Sequence, residues 1–298
     1  MLIYLDCDTG IDDAVAIAYL LAREGVTIGG IGTVNGNTSA VQAAANTLGL
    51  LTLAGREDIP VAVGAGRYQG GAHGAHGDNG IGGVVLPARA VRDGRTGKEM
   101  LKDLAREHAG ELHVIATGPC GNLAEALVEA PEITTQVASV TVMGGAVRAP
   151  GNRTPVAESN IADDPASAQI VFDAPWPVTL VPLDVTMNHC WYEPDRDALI
   201  ETGDRLSMAI AGMLPTYFNS YEPRLGERRI PLHDPLAAAI ALGDVTPDDA
   251  PELGIRVDPG TGQTIEDPGA PNRLRVVLSL KEPAGPMLLS RITRDLRP

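Results

Sequence analysis

Five times along this chain a short apolar run of strand character is followed by a longer segment of helix character, and no other feature restricts the fold as much. The first pair is Leu2–Leu5 and then Asp13–Ala22, the latter apolar nearly all round, as in a helix enclosed by other elements. The others are 26–34 with 39–55, 111–117 with 121–130, 136–143 with 165–174, and 177–183 with 194–202. Strands alternating with helices at this spacing predict a largely parallel sheet covered on both faces. With 298 residues and no Ser/Gly-rich linker, residues 1–298 read as one domain. The turn-rich stretch 258–272 is followed by a strand pattern at 273–280, so it reads as an excursion of that domain.

That fold class, α/β with a Rossmann-like central sheet, puts ligands beyond the C-terminal strand ends. The residues just after each strand are therefore the informative ones: Asp6 and Asp8, Asn35 and Asn37, Thr117, the loop 144–164, and Asp184. Asp6, Asp8, Asp12 and Asp13 gather between the first strand and the first helix. Converging carboxylates repel one another unless a cation is present or some are protonated. Asp and Asn side chains with main-chain carbonyls are hard ligands, suited to Ca²⁺ or Mg²⁺ more than to zinc. The competing reading is that Asp12 and Asp13 cap a helix start.

HDPLA (233–237) poses the same choice, with Asp234 as N-cap before Pro235 or as a further ligand, and His233 as a titratable group beside it. Asn152, Glu158 and Asn160 mix donors and acceptors suited to sugar hydroxyls, or form an ordinary polar loop. The glycine-rich stretch 64–83 contains His73 and His76, potential metal ligands, and reads as a flexible lid. The polar stretch 219–229 reads as a second mobile loop. Gly30 and Gly32 form an incomplete nucleotide-binding motif, and no Walker sequence is present.

Lys and Arg number 23 against 38 Asp and Glu, a formal charge of −15, which disfavours a nucleic acid polymer as partner. The three cysteines, Cys7, Cys120 and Cys190, are scattered and odd in number, which argues against a disulfide framework or a structural zinc site. The first residues enter a strand pattern at once, leaving no room for a leader, and no apolar run reaches the ~18 residues of a membrane span. A soluble cytoplasmic protein with no membrane partner is expected.

The segments DCDTGIDDAVAI, TVNGN, ATGPCGNLAEAL, VMGGAV, ESNIADDP, PLDVT and HDPLA, in that order, resemble the inosine-uridine type nucleoside hydrolases. The resemblance is weakest over the last ~50 residues. It implies Ca²⁺ held by Asp8, Asp13, Asp234 and the main-chain carbonyl of Thr117, with two ribose hydroxyls and a water completing the shell. Asp12 and Asn37 would hold the ribose 2′ and 3′ side, Asn160 the 3′ side, and Asn152 and Glu158 the 5′ hydroxyl. Asp8 would be the base that takes a proton from water, and His233 the candidate acid for the leaving nucleobase. Tyr217 and Tyr221, one helical turn apart, would face the nucleobase, although core packing alone would explain their spacing, and His76 is a further candidate for the substrate site. The implied reaction is hydrolysis of a ribonucleoside to free base and ribose through an oxocarbenium-like transition state. A homodimer or homotetramer is implied as well.

Three features depart from the family pattern: Ser159 stands where an apolar residue is usual, Met187 where many relatives carry histidine, and the lid is unusually glycine-rich. Two other readings compete. A haloacid dehalogenase-type phosphatase would use Asp6–Thr9 and Mg²⁺, but it has no need of Asp12–Asp13 and lacks here a downstream Lys and acidic motif. A non-catalytic Ca²⁺-dependent riboside-binding protein would have no need of Asp8 and His233 together.

Overall fold

In the computed structural model, which describes residues 1–65 and 74–296, the apolar runs assemble into an eight-stranded sheet. Six of its strands are β1 (Leu2–Cys7), β2 (Thr27–Thr33), β3 (Val61–Val63), β4 (Leu112–Ala116), β5 (Val137–Met143) and β6 (Val178–Val181). They lie parallel in the order β3-β2-β1-β4-β5-β6. Leu274–Val276 continues the sheet in parallel beyond β6, and Glu252–Leu253 closes that edge antiparallel. Both faces are covered, so β1 is buried from Ile3 to Cys7, and a strand buried on two sides reads as a continuous apolar run.

The chain moves outward from β1 to β2 and β3, then returns across β1 to lay down β4. At such a reversal the connections diverge to opposite faces and a crevice opens at the strand ends. Asp8 follows β1 and Thr117 follows β4, so the two flank this crevice.

Helix α1 (Ile11–Leu21) packs on one face with the long helix Arg205–Leu225 and the helix His233–Ala241. On that same face α2 (Ala40–Leu53) covers β2 and β3, and on the other face α3 (Gly97–Glu107) and α4 (Gly121–Glu129) pack with Pro165–Asp173. β3 and α3 are additions to the elements expected from sequence. The stretch 219–229 differs from its expected loop: helix Arg205–Leu225 runs through Pro215 and Pro223 and ends only at Gly226, at φ +67°. The buried face formed by Met213, Leu214, Tyr217, Phe218 and Tyr221 holds it against the core despite the two prolines.

The strand pattern at 273–280 divides in two, since Ser279–Leu280 pairs with Pro247–Asp249 outside the main sheet. The excursion forms a hairpin, Ile255–Val257 with Thr264–Glu266. Thr264 Oγ1 donates to Ala146 O at 2.8 Å and accepts from Ala146 N at 2.9 Å, bracing the loop after β5. Of the expected lid, His73 lies outside the described residues, and Gly74–Gly83 lies within them. No helix among the described residues is long and apolar enough to cross a membrane.

Candidate active site

Between the end of β1 and the start of α1 the chain has three residues, Asp8, Thr9 and Gly10, in which to turn. Asp8 is anchored from the β2–α2 loop: Asn37 N donates to its Oδ2 at 2.5 Å and Asn37 Nδ2 to its Oδ1 at 3.2 Å. Asp13 Oδ2 accepts the Gly10 N–H at 2.7 Å, while its Oδ1 accepts the Thr117 hydroxyl at 2.6 Å. Capping and site membership are therefore not alternatives at Asp13, because one carboxylate does both. Asp234 lies in the first turn of helix His233–Ala241, and Leu232, not Asp234, occupies its N-cap.

One oxygen from each of Asp12, Asp13 and Asp234 falls within 4.8 Å of the others, and all three residues are buried. Two oxygens at Ca²⁺–ligand distance from one ion are at most about 5 Å apart, so this spacing fits a single hard cation. Asp8 neighbours Asp13, whose charge helps raise the Asp8 pKa. Burial and the neighbouring carboxylates push Asp8 and Asp234 well above the usual range and Asp13 to about 6. Such a cluster is costly to ionise alone, and a divalent cation relieves both the desolvation and the repulsion. The donor set, three buried carboxylates with the Thr117 hydroxyl bonded to one of them, suits Ca²⁺ or Mg²⁺.

Glycine is required at two places. A Cβ on Gly36 would lie 2.0 Å from Asp8 Oδ2, and one on Gly10 would lie 2.4 Å from Asn37 Nδ2 and 2.7 Å from His76 Nδ1. Gly10→Ala must therefore displace the asparagine, the histidine or the turn. A loss of kcat/KM of at least about 100-fold is expected, since ångström displacements near reacting groups carry penalties of that size. Steady-state kinetics beside a circular dichroism melt checks it; activity within tenfold of wild type would contradict it.

A cavity of about 420 Å³ opens above the carboxylates, and Asp12, Asn37, Thr117, Asn160 and Asp234 are in its wall. Glu158 is buried at its other end, accepting backbone N–H from Asn160 (2.9 Å), Gly145 (3.0 Å) and Ile161 (3.1 Å), with burial lifting its pKa to about 7. Asn160 Nδ2 donates to Thr117 O at 2.8 Å, which ties the Glu158 loop to the end of β4. Asn152 Oδ1 accepts from Ser159 N (3.0 Å) and Ser159 Oγ (3.2 Å), so the unusual serine supports a cavity residue. Met187 packs against the core.

The opposite wall is aromatic. His76 Nδ1 accepts the Ile11 N–H at 3.0 Å, so the ring carries its proton on Nε2. Its 3.8 Å approach to Asp12 Oδ1 is too long for a hydrogen bond. Asp12 Oδ2 instead accepts the Tyr217 hydroxyl at 2.8 Å. The Tyr217 ring lies 4.9 Å from His76 and 5.0 Å from Tyr221, edge-on to the latter. The Tyr221 hydroxyl is 2.8 Å from His233 Nε2, and Thr186 Oγ1 is 2.7 Å from His233 Nδ1. Burial pulls the His233 pKa down to about 4, so the ring is neutral at pH 7. Both tyrosines pack in the core and also border the cavity, joining the two roles that sequence had set apart.

The structure thus brings Asp12, Asn37, His76, Thr117, Asn152, Glu158, Asn160, Tyr217, Tyr221, His233 and Asp234 to one cavity, with Asp8 and Asp13 bonded to its wall, whereas Asp6 turns away to Tyr4 and Asn122 and His73 lies outside the described residues. Sequence reading passed over Thr186, Arg153 and Arg224, the last two at the cavity rim. Asp184, marked from sequence only as the residue after the fifth strand, accepts Val147 N, Arg148 N and Ala149 N through its carboxylate and so shapes the loop after β5.

Residues 3–284 match the inosine-uridine preferring nucleoside hydrolase family. The chain belongs to that family. It is 37% identical over 250 residues to a pyrimidine-specific ribonucleoside hydrolase, RihA, of Salmonella typhi, covering 80% of this chain and 79% of that one. Among solved structures, the plant nucleoside hydrolase PpNRh1 superposes with a TM-score of 0.90 at 26% identity, over 99% of this chain and 98% of that one. A purine-preferring ribonucleoside hydrolase from Gardnerella vaginalis does so with a TM-score of 0.90 at 29% identity, over the same shares.

Proposed function

We propose that the protein hydrolyses the N-glycosidic bond of ribonucleosides, releasing free base and ribose, with Ca²⁺ bound at Asp8, Asp13, Asp234 and the Thr117 carbonyl. The observation that carries this is the shared cavity: Asp12 and Asp234 of the carboxylate cluster line it together with the amide and carboxyl groups of Asn37, Asn160 and Glu158, a donor and acceptor set that suits a sugar. Asp12, which comes closer to Asp13 and Asp234 than the family resemblance implied, borders both the cation site and the ribose site. When bound, the cation supplies positive charge that makes the carboxylates compatible and acidifies a nearby water.

Asp8 accepts the proton as water oxygen bonds to the anomeric carbon and the glycosidic pair leaves with the base. Positive charge grows on the ribose ring, and the surrounding carboxylate and amide oxygens stabilise it where it forms. Asp12, Asn37 and Asn160 hold the 2′ and 3′ hydroxyls, and Asn152 and Glu158 hold the 5′ hydroxyl. On the base side the His76 Nε2–H is a donor. His233, neutral and bonded at both nitrogens, acts through the Tyr221 hydroxyl, accepting from Thr186 and donating to Tyr221, whose O–H then turns toward the base.

Reducing sugar released from uridine, cytidine, inosine, adenosine and guanosine tests the reading. The RihA relatives are named for pyrimidines, so uridine and cytidine are expected to be cleaved fastest. The 2′-deoxy counterparts should fall by at least about 100-fold, because a site built to bond a hydroxyl is left with buried polar groups unpaired. No turnover of any ribonucleoside by calcium-loaded protein would overturn the catalytic reading and favour the binding-protein one. A homodimer or homotetramer is part of the same proposal, and sedimentation measures it.

A further inference from the structure

Asn46 is buried on α2 and does not border the cavity, yet its amide joins the two halves of the site. Its Nδ2 donates to Thr9 O at 3.2 Å and to Asn79 O at 2.9 Å, and its Oδ1 accepts from Gln42 Nε2 at 2.9 Å. An amide NH₂ has two protons, and both are committed.

Each partner is a control point. Thr9 is the middle of the turn between Asp8 and the Asp12–Asp13 pair, and it is the one non-glycine with positive φ (+24°) among the described residues. A β-branched residue is strained in that region, so the surroundings must fix it. Besides the Asn46 bond to its carbonyl, Thr9 Oγ1 lies 2.7 Å from Thr47 Oγ1, whose hydroxyl also reaches Ala43 O at 2.9 Å. Two successive residues of α2 therefore grip this turn. Asn79 organises the loop that carries His76: its Oδ1 accepts Ile81 N (3.1 Å) and Gly83 N (2.9 Å), and Gly82 N donates to His76 O at 2.8 Å. Displacing Asn79 O moves the backbone that aims the imidazole.

We infer that Asn46 is a positioning residue that sets the separation between the Asp8–Asp13 turn, on the water side of the anomeric carbon, and His76, on the leaving-group side. It touches neither substrate nor cation, and the inference rests on the hydrolase reading. With Asn46 removed, the turn keeps Thr47, Asn37 and Thr117, whereas the His76 loop loses its bond to α2. Leaving-group assistance should therefore suffer more than attack by water.

The experiment compares Asn46→Ala with wild type, calcium-loaded, on the best-cleaved ribonucleoside and on p-nitrophenyl β-ribofuranoside, whose nitrophenolate departs without a proton. On the ribonucleoside kcat is expected to fall about 10–100-fold with KM little changed, the penalty of an ångström-scale misplacement. On the nitrophenyl riboside the fall should be smaller by about tenfold. Asn46→Asp, which keeps the Gln42 acceptor and removes both donors, should give the same split if the alanine variant folds poorly. Equal losses on the two substrates, or none, overturn the inference. Wild-type protein inert on every ribonucleoside would instead bring down the function it rests on.

Discussion

Asp8→Asn is expected to fold, to bind calcium and to lose about 10²–10⁴-fold in kcat, the range for removing a general base. The carboxylate accepts the Asn37 N–H and, more weakly, the Asn37 side-chain amide. An asparagine oxygen can keep the first bond, and a flip of the Asn37 amide can satisfy the new NH₂, so the turn has no reason to collapse. The amide oxygen can also remain a hard ligand. What it cannot do is take a proton from water. Calcium still bound by titration calorimetry, though more weakly for the lost charge, with kcat of the calcium-saturated variant reduced as stated and KM within a few-fold, assigns Asp8 as the base. A variant retaining more than a tenth of wild-type kcat removes Asp8 from that role, and Asp12 becomes the carboxylate to test.

The legibility of the site followed the locality of its parts. Asp8, Asp12 and Asp13 share one turn, and Glu158 and Asn160 share another, so their residue types and spacing announce them before any fold is known. Convergence was not visible: that Asp234 meets Asp12 and Asp13 depends on how helix His233–Ala241 packs against α1, a tertiary fact. Asn46 illustrates the harder case, lying in AAANTLGLL, a segment that reads as plain buried helix. A signal was present all the same, because a buried amide must find hydrogen-bond partners, and an asparagine amid alanine and leucine asks where they are. β3, of three residues, is too short for periodicity to reveal, whereas α3 spaces Met100, Leu101 and Leu104 along one face and could have been read. In helix Arg205–Leu225 two prolines and a polar end pointed toward a loop, and the buried tyrosine face outweighed them.

Removing the cation should make stability fall as pH rises, the reverse of ordinary acid denaturation. Burial raises the folded-state pKa of Asp13 to about 6 and of Asp6 and Glu158 to about 7, and pushes Asp8 and Asp234 up as well. A carboxyl whose folded pKa lies above its unfolded value of about 4 supports folding fully below that value. That support is lost as pH rises through the folded pKa, here between about 4 and 7. A cation bound only by the folded, ionised cluster offsets the loss, by about 2.7 kcal/mol at 100 times its Kd. For a chain of this size that corresponds to a Tm gain of about 4 °C. Calcium-stripped protein should therefore melt progressively lower from pH 5 to pH 8, and added calcium should raise Tm strongly at pH 8 and little at pH 5, where protonated carboxylates bind it poorly. Scanning calorimetry in chelator and in millimolar calcium at both pH values measures the difference. A calcium effect equal at the two pH values, or larger at pH 5, would mean that the buried carboxylates are not its site.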